Sequence, residues 1–136
     1  MFSNLNYLAV FVSGLVYWIV GGVWYAAIFS KQYQAALNFS PEEKDEAQKD
    51  FPKALGMHFL SGLITSLILA NLVRFMGANS FLQGVTAGFW IWLGFALTIN
   101  LNYLLFERRP KVLFFVNTGF FLIAFVVMGG VLAVWQ

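Results

Sequence analysis

The chain has 136 residues, 60% of them hydrophobic and only 10% charged, where soluble domains run about 45–50% and about 25%. A chain so short and apolar cannot keep its surface wet, which excludes a soluble globular protein and leaves room for one membrane domain over residues 1–136. The net charge of +2 is no nucleic-acid signature, because the Lys and Arg lie mainly in two loops between apolar stretches, and the absence of cysteine excludes disulfides, thiolate metal sites and cysteine nucleophiles.

Charge-free stretches locate the spans, since a charge at the centre of a membrane helix costs roughly 2.5–3.5 kcal/mol and about 20 apolar residues cross the hydrocarbon. The first predicted helix covers residues 7–29. A hydrophilic linker follows over 30–53, where Ser40-Pro41-Glu42-Glu43 has capping-box spacing with proline in the first helical position. This predicts a short charged cytoplasmic helix through about Asp50, supported by the Asp45–Lys49 pair and ended by Phe51-Pro52. The second span covers 54–75, with Arg74 reaching the interface. The turn-forming Gly77-Ala78-Asn79-Ser80 separates it from a third span over 82–106. Glu107-Arg108-Arg109-Pro110-Lys111 breaks the chain again, and Pro110 opens a fourth span over 112–135. The expected fold is therefore all-α, a polytopic four-transmembrane-helix bundle.

Lys31, Lys44, Lys49 and Lys53 follow span one, and Arg108, Arg109 and Lys111 follow span three, whereas the opposite side offers only Arg74. The positive-inside rule then puts the basic loops in the cytoplasm and both termini outside, in the inner (plasma) membrane. No basic n-region or cleavage site marks a signal peptide, so span one is expected to persist in the mature protein. Aromatic and glycine residues recur as Trp18-Ile19-Val20-Gly21 and Trp92-Leu93-Gly94, a faint repeat that ordinary tryptophan and glycine usage in membrane helices also explains.

At about 100° per residue, His58, Ser61, Gly62, Thr65 and Ser66 share an arc of roughly 140° on span two. On span three Gly84, Ala87, Gly88, Gly94, Thr98 and Asn102 fall within about 120°. Small residues let helix backbones approach, so Gly62, Ser66, Gly84, Gly88 and Gly94 are candidate packing positions and spans two and three the expected packed pair. Trp24 and Trp135 suit anchoring belts, while Trp18, Trp90 and Trp92 lie deeper as lipid-facing or packing residues.

Tyr25, His58, Asn102 and Asn117 each lie five or six residues from a basic-loop charge, at a common depth of roughly 7 to 9 Å. If their faces converge they form a polar layer able to bind a small polar solute, a headgroup or an ion; otherwise they are an interfacial belt with interhelical hydrogen bonds. His58 is the side chain of this layer that titrates near neutrality. No span carries an acid, and one His without Cys or a buried carboxylate cannot make a three-ligand metal site. No catalytic triad, phosphate loop or dinucleotide fingerprint is present.

Gly21-Gly22-Val23-Trp24-Tyr25 before a hydrophilic linker, and Arg109-Pro110 with Asn117 opening the last span, resemble a bacterial family of small integral membrane proteins known as domain of unknown function 1761. The resemblance covers nearly the whole chain. It implies a four-helix membrane protein and transfers no catalytic or binding role.

The expected function is non-enzymatic. The chain is read as a self-associating bundle forming a small-solute or ion pathway, or a lipid-binding site, near the polar layer. Its expected partners are membrane lipids and further copies of itself, with no cofactor and no nucleic acid. The alternative is an accessory or assembly subunit of a larger membrane complex. A lipid-headgroup enzyme is a third class, with Glu107, the arginines and His58 as its only chemical tools.

Overall fold

The computed structural model describes residues 1–136 and contains helices without strands. Helix α1 (Tyr7–Val23) runs directly into a π-helical turn, Trp24–Ile28, and is followed by α2 (Ser30–Leu37) and α3 (Pro41–Phe75). Helix α4 (Phe81–Ile91) continues through a second π-helical turn, Trp92–Leu97, into α5 (Thr98–Leu105), and α6 (Lys111–Val134) closes the chain. Tyr7–Ile28, Pro41–Phe75, Phe81–Leu105 and Lys111–Val134 are long and apolar enough to cross a membrane. The chain is a multi-pass membrane protein. Large apolar side chains such as Leu82, Phe95 and Phe115 lie exposed on the outer faces of these runs, as helices solvated by lipid require.

Local sequence sets the helix ends. The Asn6 side chain accepts from the amides of Leu8 and Ala9, and Ser80 accepts from that of Gln83. Ser40 and Glu43 form the complete capping box. Gly77, at φ 69°, turns the chain after α3 in a conformation that costs glycine least.

The segment expected to stop at Phe51-Pro52 does not stop there. Helix α3 continues through Pro52 for 35 residues, a length of about 52 Å at 1.5 Å per residue. Pro52 forfeits one hydrogen bond, to the Gln48 carbonyl, but every residue from 41 to 54 is exposed, so that carbonyl finds its partner in solvent.

Packing pairs the spans differently from the expected contact between spans two and three. Helix α1 lies along α3, α4 lies along α6, and α6 also packs on α1 and α3, whereas α3 and α4 touch little. The glycines explain the choice. A Cβ added at Gly84 would overlap the Gly129 carbonyl, and one added at Gly88 would lie 2.7 Å from the Phe125 carbonyl carbon, so both glycines serve α6. Gly62 meets Gly14 and Tyr17 of α1, and the buried Ser66 hydroxyl donates to the Val10 carbonyl at 2.7 Å. The core runs between these pairs through Tyr17, Val73, Phe120, Ala124 and Met128.

Both termini lie at one end of the bundle. Arg74 donates to the carbonyls of Ser3 (3.3 Å) and Asn4 (2.8 Å), and the Gln136 amide donates to the Ala78 carbonyl at 2.7 Å. The α1–α2 junction and the loop 107–110 lie at the opposite, basic-loop end.

Candidate functional site

Three side chains from two segments grip a single stretch of α6. Trp24 opens the first π-helical turn, closed by the Phe29 amide bonding the Trp24 carbonyl at 2.9 Å, and its indole donates to the Val116 carbonyl at 2.8 Å. The next residue, Tyr25, donates its hydroxyl to Asn117 Oδ1 at 2.6 Å. From the other side Trp92, which opens the second π-helical turn, donates to the Thr118 carbonyl at 2.8 Å. An indole N–H has only a donor to offer, and an apolar bundle leaves it no water, so it takes the spare lone pair of a helical carbonyl. Trp18 does the same to Leu55 of α3 at 3.2 Å. Trp18, Trp24 and Trp92 are thus packing residues clamped to neighbouring helices; Trp90 is exposed.

His58 lies in the space Gly21 leaves free: a Cβ at residue 21 would lie 2.9 Å from its Cε1. The imidazole packs on Tyr17 (ring centroids 4.9 Å apart) and Phe120 (5.9 Å), and its Nε2 is buried without a hydrogen-bond partner. Phe120 in turn lies 5.4 Å from Tyr25, which stacks edge-on against Tyr33 of α2 at 4.8 Å. Tyr25, His58 and Asn117 are thus assembled around Phe120, two of them joined by a hydrogen bond.

Asn102 does not join them. It is exposed and its side chain makes no hydrogen bond within the chain, and its place is taken by the buried Asn100, whose Nδ2 donates to the Ala96 carbonyl at 2.9 Å. Gly94 is likewise exposed, with no atom within 4 Å of an added Cβ, so it packs against no helix. The Asn102 correction has a structural cause. The π-helical turn Trp92–Leu97 takes in an extra residue and so rotates every later position by about 100° relative to a uniform α-helical wheel.

Asn100, Tyr103 and Leu104 of α5, Arg109 of the loop, and Leu113, Phe114 and Asn117 of α6 line a cleft at the basic-loop end. Its volume is near 10 Å³, room for about one water. The Arg109 guanidinium carbon lies 4.2 Å over the Tyr103 ring, and its Nε and Nη2 donate to one Glu107 carboxylate oxygen at 2.8 and 2.7 Å. Arg108 carries the turn at φ 52°. Burial pushes the Tyr33 phenol above its ordinary range, and the neighbouring Arg109 charge works against that shift. No three His, Cys, Asp or Glu side chains converge on a common point.

Reasoning from uniform helices missed Asn100 and the tryptophan clamps. The signal for the clamps was available: a donor-only side chain deep in an apolar span must find an acceptor on another helix.

A family model described as "Protein of unknown function (DUF1761)" matches residues 8–133, which takes in nearly all of the four spans. No curated protein and no solved structure matches the chain.

Proposed function

The chain belongs to the DUF1761 family, whose description carries no activity, and we propose from the site itself that it is a non-enzymatic membrane protein holding the polar end of a lipid at the mouth of the α5–α6 cleft. One observation carries this reading: the order of the lining. Arg109 and Tyr103 stand at the loop end, Asn100 and Asn117 lie deeper, and Leu104, Leu113 and Phe114 supply apolar walls. That is the polarity profile of an amphiphile entering a bundle from the bilayer.

Two features favour binding over chemistry or passage. His58 does not line the cleft, and Glu107 is held by Arg109, so a headgroup there meets no free general base. The cleft and the groove at the termini end each have room for about one water, so a headgroup lies across the mouth of the cleft with no more than one small polar group inserted, and a pathway for solutes calls for several copies of the chain.

The test is lipid retention. Protein purified in mild detergent is expected to carry stoichiometric lipid in native mass spectrometry. Leu104→Trp, which fills the cleft, is expected to lose that lipid while helicity is unchanged. Lipid-free wild type, or equal retention by a folded Leu104→Trp variant, overturns the proposal.

A second reading, self-association, is favoured by the Asn102 amide, which projects from a membrane-spanning helix without a partner in the chain, on the same outer surface as Gly94. A facing copy supplies the missing partner. Asn102→Leu is expected to shift a dimer toward monomer in detergent. Co-purification with a larger complex, without self-association, favours the accessory-subunit alternative instead.

A further inference from the structure

We infer that His58, seated on Gly21, is a proton-released latch: the neutral imidazole closes the basic-loop end of the α1–α3 seam, and protonation of the ring opens that end. His58 does not line the α5–α6 cleft, so the latch stands or falls independently of the lipid reading.

Most of the seam is held by groups that do not change charge. The Ser66 hydroxyl donates to the Val10 carbonyl, and Gly62 meets Gly14 and Tyr17. At the basic-loop end two contacts close it, Trp18 donating to the Leu55 carbonyl and His58 resting on Gly21. A Cβ at residue 21 would overlap His58 Nε2, so a ring nitrogen is what faces the glycine α-carbon. That nitrogen is enclosed and has no hydrogen-bond partner, while the residue as a whole is partly exposed. A bare lone pair is tolerated there, because a glycine C–H is a weak donor of the kind that recurs where helices touch. The seated ring is therefore the neutral tautomer with its proton on Nδ1.

Protonation removes this fit. Both nitrogens of an imidazolium are donors, and the Nε2 proton then points at a methylene group with no acceptor beside it. Helix α1 presents Tyr17 to the ring at 4.9 Å, α6 presents Phe120 at 5.9 Å, and Tyr25 of the first π-helical turn stands beyond Phe120. The Tyr25 hydroxyl is already spent on Asn117 Oδ1. Neither α1 nor the π-helical turn carries a charged residue, α6 carries only Lys111 at its start, and the nearest charge on α3 is Lys53, of the wrong sign. The two aromatic rings attract a cation, but the enclosed N–H faces Gly21 and not them. An unpaired charged donor is relieved by moving the ring out to water, toward the exposed stretch 41–54 that precedes it on α3. The end of α1 that leads into the first π-helical turn and α2 then loses its hold on α3.

The chain has no cysteine, so spin labels can be placed at Ile19→Cys and Met57→Cys, exposed positions on α1 and α3 near the latch. Their separation is read in the full-length protein, in a maltoside detergent, from about pH 8 to about pH 5, the range in which histidine changes charge. The open seam binds one proton more than the closed one, so it gains as pH falls. With the released ring titrating at the ordinary value of about 6.5, the open-to-closed ratio is expected to rise about thirtyfold across that range. H58Q, which cannot titrate, is expected to hold one distance throughout. G21A, whose Cβ overlaps the seated ring, is expected to open the seam even at about pH 8, and H58A added to G21A to close it again. A wild-type distance that ignores pH, or a seam that tightens as pH falls, overturns the latch without recourse to any variant. A pH response that persists in H58Q overturns it as well, and a G21A protein with the closed distance overturns the seat of the ring on residue 21.

Discussion

Gly84→Ala and Gly94→Ala add the same methyl group to the same membrane-spanning run, and their outcomes should part company. At residue 84 the new Cβ overlaps the Gly129 carbonyl and lies 2.6 Å from both the Gly129 carbonyl carbon and the Ala133 Cβ, where carbon atoms prefer about 3.5–4.0 Å. The obstruction is backbone, so no side chain can swing aside, and α4 and α6 must separate by roughly 1 Å, a gap that forfeits about half the attraction of each contact it opens. Overpacking of this kind costs about 1–3 kcal/mol, here at the upper end, and alanine returns about 1 kcal/mol of helix propensity over glycine. The net destabilisation is about 2 kcal/mol, or about thirtyfold in the folding equilibrium. At residue 94 the methyl meets nothing within 4 Å, so only the helix-propensity gain of up to about 1 kcal/mol remains and the variant should be at least as stable as wild type. Reversible unfolding in mixed micelles, followed by tryptophan fluorescence, compares the two directly. Equal stability of the variants, or a greater loss in Gly94→Ala, refutes the assignment of the glycine seam to α4 and α6.

Other expectations follow from single contacts. Trp24→Phe and Trp92→Phe each remove an indole-to-carbonyl bond onto α6 and should each cost about 1 kcal/mol in the same assay, whereas Trp90→Phe, exposed, should cost nothing measurable. The Tyr33 phenol, raised by burial against the opposing pull of Arg109, should ionise above the ordinary tyrosine value of about 10 and later still in R109Q, as read by phenolate absorbance against a Tyr33→Phe control. Because its folded value is the higher one, the stability it contributes is complete below about pH 10 and fades as pH rises through that folded value; a Tyr33 that titrates earlier in R109Q contradicts the proximity of the two groups. A reporter active only outside the cytoplasm, fused after Gln136, should be active, as the positive-inside rule predicts from Lys31, Lys44, Lys49, Lys53, Arg108, Arg109 and Lys111 in the two loops at the other end. A well-expressed but silent fusion reverses the orientation.

The four spans were legible because the signal for them is a property of composition along the chain, not of contacts. Arg74, Gly77 and the run from Glu107 to Lys111 interrupt apolar stretches, and a helix is the structure that satisfies a single apolar stretch in lipid. Pro52 was a weaker guide, since a proline stops a helix only when the freed carbonyl has nowhere to turn, and the exposed stretch 41–54 gives Gln48 solvent. Partner choice was not legible. Gly84 and Gly88 mark a face suited to close approach, but a glycine seam does not name its neighbour, and Gly129 was as eligible as anything on α3.

The polar layer divides along the same physical line. Tyr25, His58 and Asn117 were placed by depth alone, and depth depends only on rise per residue, which a π-helical turn barely alters. Face depends on accumulated rotation, which that turn changes by about 100°. Residues on α5 beyond Trp92–Leu97 therefore keep their expected level and lose their expected direction: Asn102 points out and Asn100 points in. Both π-helical turns begin at a tryptophan that bonds α6, at Val116 and at Thr118. A wide turn displaces the helix wall locally, and an indole is long enough to bridge to the neighbouring carbonyl from there. The recurring tryptophans therefore have a structural counterpart at Trp24 and Trp92, the residues that open the two turns, and not at Trp18, which bonds α3. The two turns thus clamp α6 at the residues on either side of Asn117, whose side chain accepts from Tyr25 and lines the cleft between α5 and α6.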